Sequence, residues 1–194
     1  TYTCLRHAAY GVKYKHWYDV SQHVFTSQPL RDESDFVKIV AFAYSWMPTI
    51  PEWHPGLDWP YCSSLIQALQ HGSLDVRADL LEHLVPVINN SIVGVSKTLY
   101  FISPRNTPMI DSNVVTGWRK LFFPSGLPKR HSSIAPLPSN FGSYGQDATE
   151  RTRHIRLYIR YWDNMLTWEE NCGAPTRMRD IESLLYAYGK KLSE

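Results

Sequence analysis

Along most of the chain, apolar residues recur at three- and four-residue steps, the spacing of one face of a helix. Ser34 is a candidate cap for a helix carrying Phe36, Ile39, Val40, Ala43, Trp46 and Met47. Those positions cover nearly the whole circumference, which predicts a helix central in the core. Pro48 ends it, because proline disfavours helical geometry in the residue before it. The stretch from Pro48 to Pro60 holds four prolines and two tryptophans and reads as a rigid loop. Pro60 opens the next helix, through Leu65, Ile66 and Leu69, with Gly72 closing it. Ser73 is a candidate cap for another, with Leu74, Leu80, Leu81 and Leu84 on one side.

Towards the end the pattern is clearest. Asp147 and Glu150 have the spacing of a capping box. Ile155, Tyr158, Ile159, Trp162, Met165 and Leu166 then recur helically, and Gly173 supplies a stop. A last helix follows Pro175 and Thr176, with Met178, Ile181, Leu184, Leu185 and Tyr188 inward. Tyr10 to Phe25 reads equally as short strand or helix. There is no Asn-Gly hairpin and no sustained period of two. The expectation is an all-α fold over residues 1–194, one helical domain, with or without two subdomains around a cleft. Residues Phe123 to Gln146 stand apart, rich in proline, glycine and serine, and predict a long irregular loop. Loops of that length are either functional or disordered. Its place after a basic helix suits a substrate-covering role.

Composition narrows the classes. With 194 residues, 43% hydrophobic and 20% charged, the chain can bury a substantial core. Seven tryptophans and twelve tyrosines suit a core, a base-stacking surface or a ligand pocket. The net charge of +2 does not by itself argue for nucleic acid. Its distribution says more. Lys97, Arg105, Arg119, Lys120, Lys129 and Arg130 face the single acid Asp111 between Gly94 and Ser133, and Arg151, Arg153, Arg156 and Arg160 form a second basic segment. Such clusters can follow a phosphate backbone, or simply be solvated faces. Three widely separated cysteines form no zinc or iron–sulfur pattern, and the eight histidines show no ligand spacing, so no metal or other cofactor is expected. The cysteines suit a reduced intracellular compartment, cytoplasmic, nucleoid or nuclear. No apolar run approaches the roughly 20 residues of a membrane span, and the start lacks the layout of a signal peptide.

The stretch from Gly94 to Asn113 carries the candidate chemistry. Ile92 to Lys97 reads as a tight hairpin linking two short helices, in which Gly94 permits a positive φ. The amides of Val95, Ser96 and Lys97 would then open a helix without internal partners, and such amides attract phosphate. After Pro108-Met109-Ile110 comes Asp111, at the start of a helix from Asn113 to Phe122. Taken alone, Asp111 is an ordinary N-cap and Lys97 an ordinary surface lysine. Taken together after the glycine, an amine and a carboxylate fourteen positions apart can face one cleft.

Gly94-Val95-Ser96-Lys97-Thr98 followed by Pro108-Met109-Ile110-Asp111-Ser112-Asn113-Val114 resembles the helix–hairpin–helix base-excision DNA glycosylases, in particular the 8-oxoguanine DNA glycosylase-like branch. The resemblance covers about a sixth of the chain and is moderate in specificity. It implies an all-α enzyme acting on double-stranded DNA that contains a damaged base. Lys97 would be the Schiff-base nucleophile and Asp111 the carboxylate that stabilises the sugar cation. Gly94, Val95 and Ser96 would form the phosphate-binding hairpin, with Asn113 a further phosphate contact. Arg105, Arg119, Lys120, Lys129 and Arg130 would hold the backbone. Trp46, Trp53, Trp59, Tyr100 and Phe101 are candidates for the wall of a pocket receiving the extruded base. Ser96 stands where the family usually has a second glycine, and the interval from Lys97 to Asp111 is shorter than in the best-known members. The iron–sulfur cysteine cluster of one branch is absent.

Two other classes remain open on sequence. A helix–hairpin–helix module that binds duplex DNA without chemistry needs the glycine turn and the basic residues only. An unrelated all-α hydrolase or protein-interaction domain needs neither, although the chain has no Gly-x-Ser-x-Gly elbow.

Overall fold

Most of the helices start where a side chain accepts an otherwise unpaired amide. The computed structural model describes residues 19–21, 23–25, 30–126, 132–141, 147–172 and 177–193. Helix α1 spans Glu33–Tyr44, and its cap is Asp32, whose carboxylate accepts the Asp35 amide at 2.9 Å. Ser34, the expected cap, lies inside the helix. The expectation of a fully apolar circumference is also corrected. The helix buries one face, Phe36, Ile39, Val40, Ala43 and Tyr44, while Val37 is exposed. It ends at Tyr44, so Trp46 and Met47 fall in the loop that follows the helix.

Helix α2 is Trp59–Gln70, capped by Asp58 on the Tyr61 amide, with Pro60 in its first turn. It closes at Gly72, which takes φ +91°. Helix α3 is Arg77–Val87. Ser73 does not cap it, because the helix starts four residues later, without a side-chain cap. Helix α4 is Ile92–Ile102, with Ser91 as its cap. Helix α5 is Ser112–Phe122, capped by Asp111. Helix α6 runs through Ala148–Cys172 behind Asp147, whose carboxylate accepts the Glu150 amide at 2.9 Å. Helix α7 is Met178–Ser193. Gly173, Pro175 and Thr176, expected at the α6–α7 boundary, lie outside the described residues, as does most of Tyr10 to Phe25.

The fold is all-α. Among the described residues there is no strand, only an isolated bridge between Trp53 and Ile88. One continuous hydrophobic cluster takes side chains from each of α1 to α7. Among the described residues no helix is long and apolar enough to cross a membrane.

Two features position the site. The first is the crossing of α5 and α7. A Cβ on Gly117 would strike the Leu185 carbonyl, and one on Gly189 would strike the carbonyl of Asn113. Backbone therefore packs on backbone, and only glycine permits that approach. Tyr188, expected inward on α7, is exposed instead. The second feature is the irregular segment 132–141. It is no helix, yet Ala135, Leu137 and Phe141 are buried in the core. Neighbouring side chains supply the hydrogen bonds that a helix or sheet would have given its backbone. Trp118 Nε1 donates to the Ala135 carbonyl at 2.8 Å, Asn164 Oδ1 accepts from the Ala135 amide at 2.9 Å, and Arg119 donates to the Leu137 carbonyl at 2.6 Å. The remaining parts of Phe123 to Gln146 beyond 123–126 and 132–141 lie outside the described residues.

Candidate active site between two helix starts

Gly94 is not in a turn. It is the third residue of α4, and the chain reverses earlier, at Asn89 and Asn90, with φ of 55° and 44°. Asparagine tolerates this left-handed geometry better than most residues. The requirement for glycine at 94 is a close approach: a Cβ would collide with the Tyr44 hydroxyl of α1. The phosphate-cradle role expected of Gly94, Val95 and Ser96 is therefore corrected. All three are buried, the Gly94 amide points to Ser91 Oγ at 3.4 Å, and the Val95 amide donates to the Ser91 carbonyl. Amides already bonded within a helix cap are not available to an anion.

Ser96 has a different task. Its hydroxyl, fully buried, donates to the Val93 carbonyl at 2.9 Å and accepts the Ile110 amide at 3.2 Å. It thereby ties α4 to the segment leading into Asp111. That segment, Asn106 to Ile110, leaves a turn closed on the Ser103 carbonyl and is irregular, and distant side chains serve its backbone. Tyr158 donates to the Pro108 carbonyl at 2.6 Å and Tyr161 to the Met109 carbonyl at 3.2 Å. Trp162 Nε1 donates to the Asn106 carbonyl, and the Met109 amide donates to Glu182. Contributions from α4, α6 and α7 thus fix the backbone that delivers Asp111.

Asp111 then caps α5, its Oδ1 accepting the Val114 amide at 2.9 Å. Lys97, two turns into α4, and Asp111 line one cavity of about 520 Å³. The volume falls in the range of small-molecule sites. Trp46, Met47, Pro48 and Thr49 form one side, in the loop that begins where α1 stops. Asn89, Ser91 and Val93 come from the start of α4, and Ser112, Asn113 and Val115 from the start of α5. Ser139, Asn140 and Phe141 close it from the irregular segment, and Tyr186 reaches it from α7. Among the described residues, Lys97 and Asp111 are the only charged ones in that lining. The rest are aromatic, aliphatic, amide or hydroxyl side chains, which suits a flat polar ring system.

Burial pushes the Lys97 amine below the ordinary lysine range. Asp111 pulls it back up, and Arg179 adds to the lowering. Burial is the largest of the three effects, so the amine loses its proton more readily than a surface lysine. Glu182, fully buried, has its carboxyl pushed up to about 7 by burial, against the lowering influence of Arg179 and the Met109 amide.

The other expected residues divide. Trp46 and Asn113 line the cavity. Trp53, Trp59, Tyr100 and Phe101 do not; Trp59 packs on Phe36, and Phe101 on Phe25 and Phe42. Arg105 and Lys120 are exposed and away from the lining, and Arg119 is spent on the Leu137 carbonyl. In the second basic segment, Arg160 donates to the Ser132 carbonyl and Arg153 pairs with Glu150 at 3.4 Å. Lys129 and Arg130 lie outside the described residues.

Sequence reasoning missed Asn89, Phe141, Tyr186 and Glu182. Two of these carried a signal. Asn89-Asn90 is a turn dipeptide, and Glu182 occupies a step of the buried stripe Met178, Ile181, Leu185 where an apolar residue belongs. Among the described residues, no group of three or more His, Cys, Asp and Glu could hold a metal. No protein-family model, curated protein or solved structure matches the chain.

Proposed function

We propose that this cavity is the active site of a DNA glycosylase with abasic-site lyase chemistry. The observation that carries the reading is the pairing of Lys97 of α4 and Asp111, the cap of α5, as the only charges among the described residues that line one aromatic-walled cavity. A nucleophilic lysine must be unprotonated, and burial of Lys97 works in that direction.

The damaged nucleotide leaves the stack, at a cost of a few kcal/mol, and its base enters between Trp46, Phe141 and Tyr186. The Lys97 lone pair forms a bond to C1′ as the bond from C1′ to the base breaks. The base departs with that electron pair and takes up a proton. Asp111 stabilises the positive charge on the sugar as it develops. Ring opening and loss of the amine protons give a Schiff base. Removal of a C2′ proton then expels the 3′ phosphate and nicks the strand. Asn113 at the cavity and the exposed Arg105 and Lys120 are the described candidates for backbone contacts. The glycosylase and the non-enzymatic duplex-binding readings both counted on a hairpin at Gly94, which lies inside α4; the Lys97–Asp111 pair in the cavity is what favours the enzyme.

The test is borohydride trapping on duplex DNA with an abasic site. The wild-type protein should give a covalent adduct, and Lys97→Gln none. No adduct from the wild type, or an equal adduct from Lys97→Gln, would sink the assignment.

A further inference from the structure

The cavity pairs Lys97 with one charge, but α7 brings a second. Arg179 Nη1 lies 3.0 Å from Glu182 Oε2, and the guanidinium sits 5.6 Å from the centre of the Tyr100 ring. Tyr100 is three residues beyond Lys97 in α4, and residues at that spacing share a helix face. The other oxygen of Glu182 takes the Met109 amide, two positions before Asp111. One buried carboxyl therefore anchors both the guanidinium and the backbone that carries Asp111.

We infer that Arg179 is a positioning residue for the nucleophile: clamped by Glu182 and the Tyr100 ring, it fixes a second cation near Lys97 and keeps that amine from settling into a plain ion pair with Asp111. The guanidinium stays charged at every working pH, so its repulsion of an ammonium is constant. Burial of Lys97 acts the same way, and Asp111 opposes both. The other titratable groups around the site are Tyr186 of α7, Tyr158 and Tyr161 of α6 behind Pro108 and Met109, and Tyr44 of α1 against Gly94. Burial pushes the phenols of Tyr44, Tyr158 and Tyr161 up, so these stay uncharged. The charges that act on the amine are then those of Asp111 and Arg179.

This inference deepens the proposed function and takes its purpose from it, but its readout needs no DNA. The lysines are reductively methylated with isotope-labelled formaldehyde and titrated by NMR. The Lys97 signal is identified by its loss in Lys97→Arg. In Arg179→Gln the midpoint of Lys97 should rise, by up to about one unit, which cuts the unprotonated fraction at neutral pH by up to about tenfold. Arg179→Lys, which keeps a cation, should hold the wild-type midpoint. An unchanged or lower midpoint in Arg179→Gln overturns the inference. If Arg179→Gln does not fold by circular dichroism, Arg179→Lys decides alone, and a rise to the ordinary lysine value overturns it. A shift in a protein that forms no adduct with abasic DNA sinks the proposed function and leaves the tuning of the amine intact. An adduct without the shift does the reverse.

Discussion

Glu182 accepts the amide hydrogen of Met109 across 73 residues of chain. The contact joins the second turn of α7 to the irregular segment that ends in the cap of α5. It is made by a carboxyl with no solvent exposure, in a helix face otherwise built of Met178, Ile181 and Leu185. A buried carboxyl is costly when charged, so its retention there ties stability to pH.

That tie has a definite sign. The Glu182 carboxyl is pushed from 4.5 in the unfolded chain to about 7 in the folded one. Between those values the folded protein holds a proton that the unfolded chain has released. The favourable contribution is complete below about pH 4.5 and disappears as pH rises through about 7, a loss on the order of 3 kcal/mol. His154 runs the other way, because burial lowers it and its contribution is lost as pH falls. Denaturant melts of wild type and Glu182→Gln at several pH values, taken as differences, isolate the Glu182 part. The stability gap between the two should move in favour of Glu182→Gln as pH rises from 5 to 8. A gap independent of pH would contradict it.

Asp111 combines two tasks that substitution can separate. Asparagine caps a helix about as well as aspartate, so Asp111→Asn should unfold within about 0.5 kcal/mol of wild type. It removes the negative charge from the cavity, and base release should slow strongly. Asp111→Ala loses the bond to the Val114 amide as well and should cost about 1 kcal/mol of stability. Excision by Asp111→Asn at the wild-type rate would remove Asp111 from the mechanism while leaving its cap in place.

Gly94→Ala tests the reading of that glycine as a packing residue. The added methyl meets the Tyr44 hydroxyl, and overpacking of this kind costs about 1–3 kcal/mol. Tyr44→Phe in the same chain removes the hydroxyl and should recover part of the loss, in a double-mutant cycle of thermal or urea unfolding. A Gly94→Ala protein as stable as wild type would mean that α1 and α4 are not held at this distance.

Much of the helical content was legible because its signals are local. Pro60 and Gly72 bracket α2, and Asp147 opens α6. Asp111 was legible as a cap because it stands directly before the helix it opens, whereas Lys97, expected in the first turn of a helix, lies in the middle of α4. The errors came where two local signals compete. Asp32 and Ser34 are both good caps, and the carboxylate of Asp32 wins. Gly94 and the pair Asn89-Asn90 can each make a turn, and tertiary contact with Tyr44 decides between them. The supports of the site left almost no trace in sequence. Tyr158, Tyr161 and Trp162 read as ordinary members of an apolar stripe, and nothing local tells that each donates to a carbonyl at least 50 residues away. The irregular segment was legible as irregular, but its burial depends on Trp118, Arg119 and Asn164, which lie in other elements.

These long reaches impose an order on assembly. The amine rides on a helix whose own turn and cap lie within a few residues of it. The backbone that carries the carboxylate has all of its supports only when the last two helices have docked, and closing such remote contacts is entropically expensive. A polypeptide interrupted before Met178 would keep the lysine helix and lose the Glu182 anchor altogether. Lys97 and Asp111 thus meet at one cavity only in a fold that draws on nearly the whole described chain.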